Sequence, residues 1–484
     1  MLFSSLLFLY LFLPFVLLGY ILIQKHFRNS FLLIASLLFF AWGGVSYTLI
    51  LIGSILLNFF GGILISNNDL HPKRKRSILI IVVVINLSIL CIFKYTGFFL
   101  ENLNLLFDKI GTAEINKPKI LLPIGISFYT FHGLSYIIDV YRGTTKAQKK
   151  LVDLGLYIAF FPQLIAGPIV RYKDISEQLA ERNFSYLSFN KGIYRFLLGL
   201  GKKVLIANTL ATVADTVFKM NIHEIGTTLS WIGIIFYSFQ LYFDFSGYSD
   251  MAIGLALMFG FHFNENFNYP FLSESVKDFW RRWHISLSTW FNDYLFVPIA
   301  TAQRDWGKFA VVFALLITFL ISGFWHGAGW TFIIFGLVHG AFIILEFLWL
   351  GKLLKKIWYP LRTTYTILVV MAAWVLFRSH DVPFVLGYYR SMMGFGNVNL
   401  SFMETLENYL NKEQLIALFI AATGAFGLLN YFEKGWFLLL NRYNNLVLHN
   451  TMEAAKLFLG LAVLFLCTVY LISNSYNPFI YFHF

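Results

Sequence analysis

The chain has 484 residues, of which 58% are hydrophobic and only 13% are charged, whereas soluble domains average about 25% charged residues. This composition excludes an ordinary cytosolic enzyme, a disordered chain and a fibrous protein, because a soluble fold would expose too much apolar surface. The chain instead has room for about a dozen membrane-spanning helices of roughly 20 residues. The net charge of +12 fits basic cytoplasmic loops, and without a basic stripe and reading module we expect no nucleic-acid partner.

Apolar runs recur along the whole chain and predict one all-α, polytopic membrane domain over residues 1–484. The predicted helices, in chain order, are 2–23, 31–45, 47–66, 78–100, 120–140, 151–170, 189–218, 228–262, 308–322, 328–350, 362–378, 414–432 and 456–474. Pro162, Gly167 and Pro168 interrupt the run 151–170. Such a break is tolerated only where protein or a water-filled cavity covers the freed backbone groups.

The charge of the connecting loops predicts an orientation. Lys and Arg are concentrated in the loops 24–30, 67–77 and 141–150. The loop 41–46 carries no charge, and the segment 101–119 has mixed charge. Because basic loops stay in the cytoplasm, this alternation predicts that the N-terminus lies outside.

The segment 264–306 differs from its surroundings, because charges and aromatic residues interleave with too few consecutive apolar residues for a span. After Pro270 the pattern is helical, with Ser273 as the predicted start of the helix. One interpretation is an amphipathic helix that lies at the membrane interface. The other is a half-buried segment that lines a cavity.

On such a helix Arg281, His284 and Ser288 share one face, and Asp278 reaches Arg281 or Arg282. A cation, an imidazole and a hydroxyl on one face can hold an anionic or carbonyl-bearing donor. The alternative is an interfacial helix whose Arg side chains meet lipid headgroups.

His326 lies within the sequence SGFWHGAGW, in an apolar stretch. An ionisable residue in a membrane segment is a functional hypothesis by default, and histidine suits acid–base chemistry near neutral pH. The flanking glycines allow close approach of a substrate, and Trp325 and Trp330 are predicted to line a channel. The alternative is a neutral histidine bonded to a helix carbonyl, with small neighbours that allow close packing. His339 follows thirteen residues later. At about 100° per residue the two histidines would point to different sides of one helix, so they form no ready-made pair.

Asp244 and Asp250 lie in a strongly apolar run, and buried carboxylates need cations or hydrogen-bond donors. The candidate cations are Arg281, Arg282, Lys202 and Lys203. We favour a structural ion-pair network here over direct catalysis, and Asp244 stays a candidate substrate-binding residue.

Signatures of several other enzyme classes are absent from the sequence. His223-Glu224 lacks the second histidine of H-E-x-x-H, and the two cysteines, Cys91 and Cys467, are isolated, so no metal site is predicted. No Walker A motif, dinucleotide fingerprint or G-x-S-x-G elbow occurs.

Four segments together resemble the bacterial branch of the membrane-bound O-acyltransferases, which includes alginate and peptidoglycan O-acetyltransferases. They are FFPQLIAGPIVRY (160–172), QLYFDFSGYSDMAIGLALMFGF (240–261), DFWRRWHISLSTWFNDYLFVPI (278–299) and SGFWHGAGWTFIIFGLVHG (322–340). The resemblance implies a ring of tilted, partly broken helices around a central tunnel, about 11–13 in number at the usual span length. The motif-bearing core is about 120–345, including the amphipathic segment 264–306.

The resemblance also implies roles for individual residues. It implies that His326, in W-H-G, is the catalytic base and that His284, in R-W-H-I-S-L-S, is a second functional histidine. The candidate substrate-binding residues are Arg281, Arg282, Ser288, Trp325, Trp330 and Asp244. The expected donor is acetyl-CoA on the cytosolic side, with no bound cofactor and no metal. The sequence PIATAQR at 298–304 replaces the P-L-G-G-N-R of alginate-type members and leaves the acceptor open.

The implied location is the bacterial cytoplasmic (inner) membrane, and the implied acceptor is an extracytoplasmic polysaccharide, either alginate-like, another surface glycan or peptidoglycan. A polymer would lose its hydration in a narrow apolar tunnel, so we expect a separate periplasmic or membrane-anchored, SGNH-like acetyltransferase as partner. Two alternatives stay open. One is transfer of D-alanyl or another acyl group to a teichoic-acid-like polymer. The other is a polysaccharide transporter without enzymatic activity, although the paired interrupted helices of transporter repeats are absent from the sequence.

Overall fold

The computed structural model describes residues 1–118, 120–396, 398, 402–428, 446–473 and 476–478. Regular secondary structure within these residues is helical throughout, without strands. The helices in chain order are α1 (Phe8–Leu22), α2 (Arg28–Ala41), α3 (Val45–Ser66), α4 (Pro72–Ile110), α5 (Ile126–Arg142), α6 (Leu151–Ala159), α7 (Phe161–Leu164), α8 (Tyr172–Ala180), α9 (Tyr186–Lys219), α10 (Thr227–Met258), α11 (Val276–Arg282), α12 (Ile285–Phe291), α13 (Val297–Ala302), α14 (Lys308–His326), α15 (Trp330–Leu354), α16 (Tyr359–Arg378), α17 (Val382–Arg390), α18 (Phe402–Tyr409), α19 (Lys412–Ala425) and α20 (Leu446–Ser473). The prediction of an all-α protein is confirmed.

Seven helices in the described ranges are long and apolar enough to cross a membrane. They are α3, α4, α9, α14, α15, α16 and the Ala454–Ser473 part of α20. The chain is therefore a multi-pass membrane protein, as its composition predicts. Helix α10 is buried along almost its whole length and runs through the protein interior. Residues 429–432 of the predicted helix 414–432 lie outside the described residues.

Helix α4 extends well beyond its predicted bounds of 78–100. It begins at Pro72, where the ring of His71 accepts a hydrogen bond from the backbone N–H of Lys73 (3.3 Å). It ends at Gly111, whose left-handed backbone (φ 72°) is typical of a helix C-terminus. Both ends carry charged residues, and apolar content alone therefore underestimated the length of this helix.

The predicted break in the run 151–170 is confirmed, because α6 ends at Ala159 and α7 is a single turn. The backbone N–H of Phe161 donates to Ser36 Oγ (3.1 Å), and that of Ile169 donates to Ser286 Oγ (2.9 Å). Side chains of other segments therefore cover the backbone groups that the break frees, as a membrane interior requires.

Helices α9 and α10 pack backbone against backbone. A Cβ added at Gly199 would lie 2.5 Å from the carbonyl oxygen of Gly247, and one at Gly192 would lie 2.6 Å from that of Gly254. Small residues at such crossings let membrane helices approach closely. This contact fixes α10 in the interior, where it forms one wall of the site described below.

The segment 264–306 folds into short pieces, and its part 276–291 lines two cavities, which supports the cavity-lining interpretation. Its last part, 297–306, has no buried residues. It contains α11, α12 and α13, with a π-helical turn at Asn292–Phe296, and the side chains of Phe279 and Trp283 are buried. The predicted helix start is corrected from Ser273 to Ser275. Ser275 Oγ accepts the backbone N–H of Asp278 (3.0 Å), whereas Ser273 Oγ donates to Pro270 O (2.6 Å) in the preceding turn.

Candidate active site

Three histidines line one small aromatic cavity, which we call the histidine chamber. His284, His326 and His339 are 1%, 8% and 0% exposed, and the chamber has a volume of about 20 Å³. Its other lining residues are Leu241, Phe245, Phe279, Trp280, Trp283, Phe335, Trp374 and Phe377. A cavity of this size admits about one water-sized group.

His326 and His339 lie on different helices, so the comparison of their directions on one helix was wrong. Helix α14 ends at His326, Gly327 is extended (φ −166°, ψ 154°), and α15 begins at Trp330. The chain therefore reverses between the two histidines, and both rings pack on Phe335, with centroid distances of 5.6 and 4.8 Å. The glycine-rich turn 327–329 is the physical reason that helical periodicity misplaced His339.

The hairpin of α14 and α15 closes on a pair of glycines. A Cβ added at Gly336 would lie 2.8 Å from Gly323 Cα, and one at Gly323 would lie 3.0 Å from Gly336 Cα. The two backbones touch at this point, so the glycines near His326 permit close helix packing, as the alternative interpretation proposed. The contact also sets the distance between the two helices that carry His326 and His339.

Two adjacent residues of α4 hold the carbonyl end of α14. Lys94 Nζ donates to Trp325 O and lies 3.5 Å from His326 O, while Tyr95 Oη donates to Phe324 O (3.0 Å). The Tyr95 ring also stacks on that of Phe324 at 4.0 Å. The last carbonyls of a helix lack intrahelical partners, and these side chains supply them. Lys94 and Tyr95 therefore fix the backbone that presents His326, and the sequence analysis identified neither.

His284 occupies a break between α11 and α12, which corrects the continuous helical face predicted for Arg281, His284 and Ser288. Its backbone is left-handed (φ 44°, ψ 53°), a conformation that costs a residue other than glycine about 1–3 kcal/mol. Residues in such conformations persist only where the surroundings hold them and cluster at functional sites. Here the backbone N–H of Ile285 donates to Asn266 O (2.9 Å).

Asn266 also fixes the imidazole of His284. Its Oδ1 accepts the backbone N–H of Ser286 (3.1 Å), a group that can only donate, and it lies 3.2 Å from His284 Nδ1. Nδ1 therefore carries the proton, and the lone pair is on Nε2. Nε2 has no hydrogen-bond partner among the described residues. Asn266 was missed by sequence reasoning, because nothing local marks a residue that acts 18 positions away.

A second cavity of about 270 Å³, which we call the Lys94 cavity, meets the histidine chamber at His326. It is lined by Lys94, Leu122, Pro123, Ile124, Gly125, Ile126, Ser127, Phe128, Ile165, Trp325 and His326. His326 thus lines both cavities.

On its other side the chamber adjoins an open groove of about 620 Å³ through Trp280, which lines both. This apolar groove is also lined by Arg281, Ser288 and Thr318. The groove adjoins a fourth cavity of about 600 Å³, which we call the basic mouth, through Lys277, Arg281 and Phe347. The cations of the basic mouth are Lys277, Arg281, Arg282, Lys352, Lys355 and Arg362, against the carboxylates Glu274, Asp278 and Glu346.

Four of the six predicted substrate-binding residues line one of the four cavities, and the other two, Trp330 and Asp244, do not. Arg281 and Ser288 line the apolar groove, Arg282 lines the basic mouth with its Nε 2.9 Å from Asp278 Oδ2, and Trp325 lines the Lys94 cavity. Trp330 lies at the surface, 56% exposed, and donates to Asn102 Oδ1 (2.9 Å). It lines none of these four cavities, because the glycine turn directs it away, and this corrects its predicted place in the channel.

Asp244 lies on α10 and pairs with Lys203 at 2.6 Å, with both side chains 3% exposed. Lys202 and Arg195 hold the neighbouring Asp250, each at 2.6 Å. Asp244 is not a lining residue of any of the four cavities. This arrangement favours the structural ion-pair network, and a role of Asp244 in substrate binding stays a prediction without a contact.

The geometry suits proton transfer from a hydroxyl in a site that excludes water. His326 Nε2 is buried without a hydrogen-bond partner in the described part of the chain, and the surrounding walls are aromatic. A neutral imidazole in such a place can accept a proton from an attacking hydroxyl, and exclusion of water limits competing hydrolysis. No group of three or more His, Cys, Asp or Glu side chains within the described ranges is arranged to hold a metal ion.

Comparison with known proteins connects this architecture to an enzyme family. Residues 148–386 match the family described as MBOAT, membrane-bound O-acyltransferase. The chain is 39% identical to the probable alginate O-acetylase AlgI of Pseudomonas putida over 100% of both chains. It is 34% identical to the peptidoglycan O-acetyltransferase of Helicobacter pylori, over 100% of this chain and 98% of that protein. It is also 34% identical to the teichoic acid D-alanyltransferase of Bacillus subtilis, over 51% of this chain and 65% of that one.

The chain is a multi-pass helical membrane protein with buried histidines that line a cavity. The relatives named above are acyltransferases. The chain belongs to the membrane-bound O-acyltransferase family, and it is an O-acyltransferase. The family resemblance drawn from its motifs is confirmed.

Proposed function

We propose that this enzyme moves acetyl groups from cytosolic acetyl-CoA across the membrane for O-acetylation of an extracytoplasmic polysaccharide. The observation that carries the proposal is the order of the cavities. The basic mouth adjoins the apolar groove, the groove adjoins the histidine chamber, and His326 joins the chamber to the Lys94 cavity. A thioester approaching from the mouth and a hydroxyl approaching from the Lys94 cavity meet at one imidazole.

In the proposed step His326 Nε2 takes the proton of the attacking hydroxyl as its oxygen bonds to the thioester carbonyl carbon. The carbon–sulfur bond then breaks, and the thiolate leaves with the proton that His326 returns. The acetyl ester forms at the Lys94 cavity, and the free thiol of CoA withdraws through the groove. His284, held by Asn266, lies in the same chamber with its own Nε2 lone pair.

The basic mouth supports a phosphate-bearing donor. Six cations line it against three carboxylates, and Asp278, one of those carboxylates, pairs with Arg282. Lys352 lies in the last turn of α15 and Lys355 directly follows that helix, so both attract anions at its end. We therefore expect Lys352→Glu/Lys355→Glu to raise KM for acetyl-CoA about tenfold and to leave KM for the phosphate-free thioester S-acetyl-N-acetylcysteamine unchanged.

Acetyl transfer is tested in cells and in inside-out membrane vesicles. His326→Ala is expected to abolish O-acetyl groups on the surface polysaccharide, measured as acetate released by mild alkali, and to stop release of CoA thiol in vesicles. The matched control is His262→Ala, because the side chain of His262 is exposed. Normal O-acetylation by a membrane-inserted His326→Ala protein would refute the assignment of the base.

We propose that the protein lies in the bacterial cytoplasmic (inner) membrane with its N-terminus outside. Helix α4 leads from the basic loop 67–77 to Asn102, which bonds Trp330 beside the turn 327–329, so the loop and this turn belong to opposite ends of α4. Cysteines introduced into the loops 24–30, 67–77 and 141–150 are expected to resist an impermeant reagent in intact cells. Rapid labelling of the 67–77 loop would reverse the orientation.

We also propose a partner that completes the reaction outside. The Lys94 cavity holds about 270 Å³, which suits one side chain or one sugar unit and not a hydrated polymer. A separate periplasmic or membrane-anchored, SGNH-like acetyltransferase would take the acetyl group and esterify the glycan. Vesicles that contain this chain alone are expected to fail to acetylate added polymer. Efficient acetylation without a second protein would overturn the relay.

The identity of the acyl group is supported by the named relatives. The two acetyl-transferring relatives described above align over the whole chain, whereas two D-alanyltransferases align over about half of it. Acetyl transfer is therefore our first proposal. Labelling the membranes with radioactive D-alanine and with acetate in parallel distinguishes the two.

A further inference from the structure

Three buried nitrogens of the histidine chamber, on His339 and Trp280, are not used by the proposed acetyl transfer. Neither ring nitrogen of His339 has a hydrogen-bond partner among the described residues, and the same is true of Trp280 Nε1. A neutral imidazole carries one N–H and an indole carries another, so two donors are buried here without acceptors. Nearly all buried polar groups of folded proteins have partners, and an exception in a cavity points to a ligand.

The two donors lie together on the thioester's side of the chamber. The rings of His339 and Trp280 meet edge to face at 5.2 Å, and both residues line the chamber. Trp280 also lines the apolar groove, as do Ile343 and Phe347, which follow His339 at steps of four residues on the same face of α15. A donor that enters along the groove therefore reaches the chamber at Trp280, against which the His339 ring packs.

We propose that the N–H groups of His339 and Trp280 bind the carbonyl oxygen of the acyl thioester. This inference rests on the proposed function and adds the group that carries the developing negative charge. When the hydroxyl oxygen bonds to the carbonyl carbon, the carbonyl π electrons move to oxygen, and the two N–H donors stabilise that oxyanion. The electrons return as the carbon–sulfur bond breaks, and His326 passes its proton to the leaving thiolate. A chamber of about 20 Å³ accommodates one carbonyl oxygen and excludes bulk water.

The test uses two substitutions that keep an aromatic ring and remove the donor. His339→Phe and Trp280→Phe are each expected to lower kcat for CoA release by about a hundredfold, the usual loss for one oxyanion donor, with KM for acetyl-CoA changed less than threefold. The matched control is His132→Phe, because His132 is equally buried (0% exposed) but lines none of the four cavities. Its kcat is expected to stay within threefold of that of the wild type.

A spectroscopic measurement separates direct contact from a structural effect. The infrared carbonyl band of [1-¹³C]acetyl-CoA is recorded on His326→Ala protein, which holds the thioester without turning it over. The band is expected at lower frequency there than in the double variant His326→Ala/His339→Phe, because a donated hydrogen bond weakens the carbonyl bond.

The outcomes are distinct. Equal band positions in the two proteins, or His339→Phe and Trp280→Phe activities both within threefold of wild type, would overturn the inference and leave the proposed function intact. Failure of the wild type to release CoA from acetyl-CoA would overturn the donor proposal and this inference together.

Discussion

Lys94 and His326 are 232 positions apart in the chain, yet Lys94 Nζ lies 3.5 Å from His326 O and donates to the carbonyl of the preceding Trp325. The same ammonium group is 5.6 Å from the centre of the Trp325 ring, within the range of a cation–π interaction. A cation at a helix C-terminus also complements the helix dipole. One side chain thus holds the backbone of His326 and the aromatic wall beside it.

Replacement of Lys94 by Met is expected to lower activity by about tenfold to a hundredfold. The reason is the loss of hydrogen bonds to a charged group, worth about 1.5–3 kcal/mol, at the backbone that presents His326. The measurement is kcat for CoA release in vesicles. Lys109→Met is the control, since Lys109 is exposed at the end of the same helix. Activity of Lys94→Met within twofold of wild type would contradict the positioning role.

Asn266→Leu is expected to lower kcat at least about tenfold, because the hydrogen bond that sets the tautomer of His284 is lost. Asn264→Leu, an exposed neighbour, is expected to behave like the wild type. The informative readout is the pH profile of kcat, which changes if His284 takes the other tautomer and stays in place if Asn266 only supports the backbone. If kcat and its pH profile were both unchanged in Asn266→Leu, Asn266 would have only a packing role.

The left-handed backbone of His284 predicts an order of stability. Both His284→Ala and His284→Gly are expected to lose activity by about a hundredfold, but the Gly variant should be more stable than the Ala variant by about 1 kcal/mol, because glycine adopts positive φ without strain. Thermal unfolding of the purified variants in detergent measures the difference. Equal or reversed stabilities would show that the strain is relieved elsewhere.

The addition of one methyl group at the contact between α14 and α15 is expected to push the two helices apart. Gly336→Ala places its Cβ against Gly323 and the carbonyl of Phe319, so we expect a destabilisation of about 1–3 kcal/mol, typical of overpacking, and a clear loss of activity. Gly53→Ala is the control, because nothing lies within 4 Å of a Cβ added at Gly53. If Gly336→Ala retained wild-type activity and melting temperature, the hairpin would be more adaptable than its geometry indicates.

The helical spans were predictable because apolar composition determines where a chain can enter a membrane. The residues at which the helices begin and end were harder to predict. The bounds of α4 depend on Pro72 and Gly111, which lie beyond its apolar run. Likewise, the break at His284 depends on contacts with Asn266 that are not local, and helical periodicity assumes that no such break occurs.

The site was predictable only in part. His326 and His284 were recognised as rare titratable residues within motifs of a known family. Lys94 carries a comparable signal, since it is a cation inside the predicted span 78–100 and charged residues in membrane helices are often functional. Asn266 gives no such signal, and His339 was assigned to the wrong geometry because a turn of three residues, 327–329, reverses the chain before it.

The narrowness of the histidine chamber has an electrical consequence. The chamber is the smallest of the four cavities, about 20 Å³, and aromatic rings line it. Two larger cavities adjoin it, at His326 and at Trp280. A hydrated ion does not fit such a space. In the proposed transfer the acetyl group changes its covalent partner at this point, so no open path for ions is needed. Transfer by that route would let the enzyme work in an energised membrane without dissipating the proton gradient.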